Sequence, residues 1–185
     1  MAAVKCVLIG GGVRAGKSAF ALTRARQLGA RRVFVATARG LDDEMRERIA
    51  RHQADRGGDF TTVDEPLRLP AMLRRLSDVD VVVVDCLTMW LANLLVRGDD
   101  EAAILRDVDA LVAAVREASY RAVLVTNEVG MGVHPEHALG RAFRDVVGRA
   151  HQRLAACADE IYFAAMGVML RLQPGPVEVQ RWEGE

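Results

Sequence analysis

An apolar run from Val4 to Ile9 ends in a cluster of glycines and passes at once into a stretch with helical spacing. The junction reads Gly11-Gly12-Val13-Arg14-Ala15-Gly16-Lys17-Ser18. It fits G-x-x-x-x-G-K-[ST] between a strand and a helix, the context in which that pattern has a mechanism. The glycines let the backbone turn its N–H groups inward around phosphate oxygens, and the helix that follows adds its positive N-terminus. Gly11, Gly12, Val13, Arg14, Ala15 and Gly16 then line the phosphates of a nucleoside triphosphate. Lys17 neutralises the β- and γ-phosphates, and the Ser18 hydroxyl coordinates Mg²⁺. Residue usage supports a special role for the lysine. Of 25 basic residues 23 are arginine, and Lys17 is one of only two lysines, the other being Lys5.

The rest of the chain alternates in the same manner. Val4–Ile9, Arg32–Thr37, Val79–Asp85, Ala122–Thr126 and Glu160–Ala165 read as strands, nearly continuous in apolar residues. Such runs suit strands covered on both faces in a parallel sheet. Helical spacing covers Lys17–Leu28, Leu41–Asp55, Pro66–Leu76, Thr88–Val96, Glu101–Ser119 and Glu136–Ala158. Gln173-Pro174-Gly175-Pro176-Val177 reads as a tight turn from which Val177–Trp182 returns as a short antiparallel strand at the C-terminal edge. The expectation is an α/β fold in three layers, a mostly parallel sheet with helices on both faces. It forms a single domain over residues 1–185.

Charge and composition exclude several classes. Twenty-five basic and 25 acidic residues cancel, so no global field favours nucleic acid or an anionic membrane. No apolar run approaches the roughly 20 residues of a spanning helix. The N-terminus shows no signal-peptide pattern. Cys6, Cys86 and Cys157 lie apart within apolar stretches, which reads as reduced, buried thiols in a cytoplasmic protein.

A phosphate loop needs an acidic partner at the end of a neighbouring strand. Val81-Val82-Val83-Val84-Asp85 supplies one, and Asp85 becomes the favoured Mg²⁺ ligand, although alone it would equally suit a helix cap. Thr126-Asn127-Glu128 ends another apolar strand on the ligand-binding edge. Asn127 and Glu128 suit a γ-phosphate sensor, an anchor for an acceptor hydroxyl, or a turn. The charged segment from Leu41 to Arg56 contains His52. By composition this is a solvated helix with a surface histidine. Its functional reading is a neutral imidazole attacking a nucleotide phosphorus among arginines.

Several blocks together carry a resemblance. They are Gly11–Ser18 with Ala19-Phe20-Ala21, Ala36-Thr37-Ala38, Asp42-Asp43-Glu44-Met45 with Arg48-Ile49-Ala50-Arg51-His52, and Asp85-Cys86-Leu87-Thr88. The most specific are Val125–Pro135 and Phe143–Leu154. From about Val4 to Leu172 the chain resembles the bifunctional adenosylcobinamide kinase/adenosylcobinamide-phosphate guanylyltransferases of cobalamin synthesis. The resemblance implies a RecA-like P-loop NTPase scaffold with two activities. ATP or GTP phosphorylates adenosylcobinamide. GTP then passes GMP through a histidine to adenosylcobinamide phosphate, giving adenosylcobinamide-GDP and pyrophosphate. It maps the nucleophile to His52, keeps Lys17 as a catalytic residue, and puts guanine and ribose contacts around Ala36, Thr37, Ala38, Gln53, Ala54, Asp55, Arg56 and Asp64. It also implies a homo-oligomer, with a trimer as the family's form. A kinase without the covalent step, and a RecA-like ATPase or binding module, remain alternatives.

The chain departs from the family pattern at three places. Arg51 stands where some members have a second histidine. Gly57-Gly58-Asp59-Phe60 replaces a segment with Pro and Trp, leaving Phe60 as the apolar anchor. Asp85 stands where some members have Glu. Other residues read as structural. His134-Pro135-Glu136-His137 offers too few ligands for a metal and starts a helix. His151 is structural within that helix. Met166 and Met169 are core filler, and Trp90 is a candidate subunit contact.

Overall fold

The computed structural model describes residues 4–39 and 57–181. Among these lie eight strands: β1 Cys6–Gly11, β2 Arg32–Ala36, β3 Thr61–Asp64, β4 Val81–Asp85, β5 Arg121–Val125, β6 Glu160–Ala165, β7 Val168–Gln173 and β8 Glu178–Arg181. The α-helices are α1 Lys17–Leu28, α2 Leu69–Leu73, α3 Leu87–Arg97, α4 Glu101–Glu117 and α5 Ala138–Ala155. The strands form one sheet in the order β3-β2-β4-β5-β1-β6-β7-β8. β3 to β6 in that order are parallel, and β7 and β8 are added antiparallel. The expected three layers and C-terminal antiparallel strand are therefore present. The expected helix over Leu41–Asp55 lies outside the described residues.

Why the strands are apolar on both sides is visible in β4. Val82 and Val84 point into a cluster with Leu69, Trp90 and Leu111, under α2 to α5. Val81 and Val83 point the other way, to Phe20, Ala21 and Ala25 of α1. All four valines are fully buried. The side-chain period of two thus serves two cores at once.

Helix starts follow local chemistry. The Asp100 side chain accepts a hydrogen bond from the Ala103 N–H at 2.7 Å and caps α4, as an N-cap carboxylate should. α1 begins differently, at Gly16 with φ 86° and no side-chain cap. It is held against the sheet from the far side. Arg24 forms a two-pronged pair with the buried Glu160 of β6, with N–O distances of 2.7 to 3.1 Å. The Tyr162 hydroxyl donates to the same carboxylate at 3.1 Å, and the Phe20 and Tyr162 rings meet edge to face at 4.9 Å.

Several expectations change. β3 was not anticipated: it is four residues long, and Thr61, Thr62 and Asp64 are exposed, so it carries little apolar signal. β7 was missed because only Met169 of its residues is buried. Met169 is core as expected. Met166 is fully exposed at the β6–β7 turn, with φ 53°, so its apolarity does not serve the core. Trp90 is fully buried and its indole N–H donates to the Leu67 carbonyl at 3.0 Å. It anchors the core and is no surface contact. Phe60 does act as an apolar anchor, buried against Phe34 with the Arg26 and Arg32 guanidinium groups 5.6 and 5.9 Å from its ring centre. Cys6 and Cys86 are buried, whereas Cys157 is partly exposed.

The Arg24–Glu160 pair gives a stability test. Arg24→Met leaves a buried carboxylate without its cation and costs about 3 kcal/mol. Arg24→Met combined with Glu160→Gln recovers part of that loss. Chemical denaturation of both variants measures the difference.

Candidate active site

The register of the parallel strands decides what meets at their C-terminal ends. Ala36 of β2 lies opposite both Asp64 of β3 and Asp85 of β4, and Asp85 lies opposite Val125 of β5. Ile9 of β1 is paired with Val125, two residues before the phosphate loop begins. One sheet edge therefore gathers the start of the loop, Asp85, Asp64 and the Thr126-Asn127-Glu128 segment. This is the edge at which open parallel sheets bind ligands.

The loop itself is built on a close approach. Gly11 ends β1 with φ 134°, and a Cβ there would stand 2.3 Å from the Ala164 carbonyl oxygen. Only glycine fits. Gly12, Val13 and Arg14 are exposed, and Arg14 adopts φ 58°, a conformation a non-glycine residue holds only where its surroundings enforce it. The loop closes onto Gly16, where a Cβ would stand 3.7 Å from the buried Met169 side chain. Lys17 is 6% exposed, and its ammonium donates to the Gly12 carbonyl at 2.5 Å. Its charge is thus held inside the loop. Ser18, in the first turn of α1, and Asp85 are each half-buried.

The remaining mapped residues divide. Ala36 is buried and Thr37 wholly so. The Thr37 hydroxyl donates to the Cys86 carbonyl at 2.7 Å and accepts from the Cys86 N–H at 3.0 Å. Its side chain is engaged within the fold, tying the end of β2 to the β4–α3 junction. The Asn93 side chain reinforces that tie, donating to the Thr37 and Pro66 carbonyls at 2.8 and 3.0 Å. Ala38 is half-buried and Asp64 exposed. His52, Gln53, Ala54, Asp55 and Arg56 lie outside the described residues.

A polar chain that the sequence does not announce crosses this edge. Thr88 Oγ1 lies 2.9 Å from Thr126 Oγ1, which lies 2.8 Å from His151 Nε2. His151 Nδ1 lies 3.5 Å from Glu128 Oε2. The Asn127 N–H donates to Thr88 Oγ1 at 2.6 Å, and the Glu128 N–H donates to the Gly11 carbonyl at 3.0 Å. The available signal was helical spacing, which puts His151 four residues after Val147 and three before Leu154, both buried on α5. Among the described residues no group of three or more His, Cys, Asp or Glu could hold a metal ion, and no helix is long and apolar enough to cross a membrane.

A family model described as cobinamide kinase / cobinamide phosphate guanyltransferase matches residues 7–172. The chain belongs to this family. A curated member from Pseudomonas aeruginosa, "Bifunctional adenosylcobalamin biosynthesis protein CobP", is 39% identical over 92% of this chain and 98% of its own length. The Salmonella typhimurium protein of the same description, CobU, is 36% identical over 90% of this chain and 99% of its own. Solved structures share the fold at low identity. The RadB recombinase superimposes with a TM-score of 0.54 at 16% identity, covering 97% of this chain and 87% of its own. The ATPase domain of G40P gives 0.51 at 14%, covering 95% and 79%. The chain thus shares the α/β fold of these recombinase and ATPase domains.

Burial lowers the pKa of His151 below its ordinary 6.5, while the Glu128 carboxylate opposes that shift. The unfolded chain then takes up the proton first as pH falls, so His151 contributes stability above about pH 6.5 that is lost as the pH drops towards the folded value. His151→Gln removes this contribution to acid sensitivity. Denaturation of wild type and variant at pH 7.5 and pH 5.5 should therefore show a smaller difference for the variant.

Proposed function

We propose that this protein phosphorylates the aminopropanol hydroxyl of adenosylcobinamide with ATP or GTP. It then transfers GMP from GTP through His52 to adenosylcobinamide phosphate, releasing pyrophosphate and forming adenosylcobinamide-GDP. The observation that carries this reading is the phosphate loop, with Lys17 drawn into it and Asp85 on the same sheet edge, in a chain whose family match spans residues 7–172. The family model's description names both halves of the activity, and the relatives are named bifunctional adenosylcobalamin biosynthesis proteins.

In this reading the Gly11–Ser18 loop holds the triphosphate, with the Lys17 charge against the β- and γ-phosphates. The Ser18 hydroxyl and the Asp85 carboxylate are hard oxygen donors, the set that Mg²⁺ takes alongside phosphate oxygens and water. Bound there, the ion would offset charge on the phosphates. Guanine and ribose contacts come from Ala36–Ala38, Gln53–Arg56 and Asp64, with Thr37 holding its neighbours in place, because its hydroxyl, N–H and carbonyl are all engaged within the fold.

The covalent step uses a neutral imidazole nitrogen of His52 as nucleophile. It bonds to the α-phosphorus, the bond from that phosphorus to the α–β bridging oxygen breaks, and pyrophosphate leaves with the electron pair. The imidazole N–H proton passes to solvent. A phosphate oxygen of adenosylcobinamide phosphate then bonds to the same phosphorus, the P–N bond breaks, and the imidazole leaves with the electron pair and takes a proton back from solvent. A phosphoramidate keeps the activation of GTP, so one difficult transfer becomes two ordinary displacements. We further propose a cytoplasmic homo-oligomer, trimeric as the family resemblance implies. The balanced charge gives no footprint for nucleic acid.

Incubation with Mg²⁺ and GTP labelled at the α- or the γ-phosphate, followed by denaturation, tests the covalent half. Wild type should retain α-label but not γ-label and gain the mass of one GMP, labile to acid and stable to base. His52→Ala should gain nothing. An α-labelled adduct that persists in His52→Ala would reassign the nucleophile. No adduct on GTP-binding wild type would favour a kinase that lacks the covalent step.

A further inference from the structure

Glu128 is fixed to the root of the phosphate loop. Its N–H donates to the Gly11 carbonyl at 3.0 Å, and it follows β5, the strand lying between β1 and the Asp85-bearing β4. Its side chain is 26% exposed, and one carboxylate oxygen accepts from the Gly130 N–H at 2.5 Å. The carboxylate is therefore held in place and still reachable by a substrate.

The polar chain behind it takes its direction from the His151 tautomer. Nδ1 of His151 faces Glu128 Oε2 at 3.5 Å, and the tautomer with its proton on Nδ1 directs an N–H at that carboxylate. Nε2 must then accept from the Thr126 hydroxyl at 2.8 Å, and Thr126 in turn accepts from Thr88 at 2.9 Å. Thr88 accepts from the Asn127 N–H at 2.6 Å. Every polar atom along this line has a partner. Thr88 and Thr126 are buried, where apolar residues would pack at no polar cost. The line ends at a carboxylate that substrate can reach, on a residue whose N–H is bonded to the root of the phosphate loop.

We propose that Glu128 is the base of the phosphoryl-transfer step and that His151 is the positioning residue that orients it. This rests on the kinase half of the function proposed above. The acceptor hydroxyl oxygen bonds to the γ-phosphorus, and the bond from that phosphorus to the β–γ bridging oxygen breaks. The nucleoside diphosphate leaves with the electron pair, and the hydroxyl proton passes to a Glu128 carboxylate oxygen. In a loose transition state that proton leaves late, so what the carboxylate must supply is position. His151 fixes the carboxylate's orientation, and Thr126 and Thr88 tie that orientation to the first turn of α3, just beyond Asp85.

The test is steady-state phosphorylation of adenosylcobinamide from γ-labelled nucleotide by wild type, Glu128→Gln, His151→Gln, His151→Asn and the Glu128→Gln/His151→Gln double variant. Glu128→Gln should lower kcat about a hundred-fold or more, with the nucleotide KM within about two-fold of wild type. His151→Gln keeps a partner for Thr126 but loses the group facing Glu128, and should lower kcat about ten-fold. His151→Asn places an amide near the Nδ1 position and should recover part of that loss. The double variant should be no slower than Glu128→Gln, because His151 acts only through that carboxylate. Retention of kcat within about three-fold in Glu128→Gln, or losses that multiply in the double variant, would overturn the inference and leave the kinase reading intact. If the His151 variants fail to fold, the partly exposed Glu128→Gln still decides the base. A wild type that transfers no γ-phosphate would overturn the kinase reading and this inference with it.

Discussion

The parallel ladder joining β2, β4, β5 and β1 is the constraint on which the site depends. Its register puts Ala36, Asp85 and Val125 level and brings the phosphate loop out two residues beyond Ile9. A slip of one residue would exchange the two faces of every strand. Val82 and Val84 would then leave the cluster under α3 and α4 and meet α1. Because both faces are packed with different side chains, such a slip is expensive. The position of Asp85 relative to the loop is thus set by hydrophobic packing well below it.

The loop needs its two ends held apart by a fixed amount, and separate devices do this. At the strand end, Gly11 lies against the Ala164 backbone, and its carbonyl accepts from Glu128. At the helix end, Arg24 and Phe20 fasten α1 to Glu160 and Tyr162 of β6. Near the same end, a Cβ at Gly16 would come within 3.7 Å of Met169 of β7. The antiparallel β6–β7 extension is therefore part of the loop's support. Charge can be concentrated at this edge because the groups that carry it are mounted on rigid elements.

Much of this was legible in the sequence, for reasons that can be named. The valines ending in Asp85 and the glycines ending in Lys17-Ser18 each carry a strong local signal, and both sit where expected. Long helices with apolar stripes, such as α4 and α5, were legible except at their boundaries. Short, polar β3 was not, since four residues with three exposed side chains give no hydrophobic period. Trp90 and Met166 exchanged their expected places: apolar character alone does not say which side of an element faces the core. Thr37 sits in a block that carries the family resemblance, yet its hydroxyl closes the β2–α3 junction. The Thr88–Thr126–His151–Glu128 chain joins residues from three separate parts of the sequence, and only the fold puts them within hydrogen-bonding reach.

In the proposed function one phosphate loop serves two successive transfers to the same corrinoid. Following the mass of adenosylcobinamide during incubation with the protein, Mg²⁺, ATP and GTP tests this most directly. A phosphorylated corrinoid should appear first and then be converted to the GDP-linked product. A corrinoid of unchanged mass, while nucleotide is hydrolysed in its presence, would contradict it.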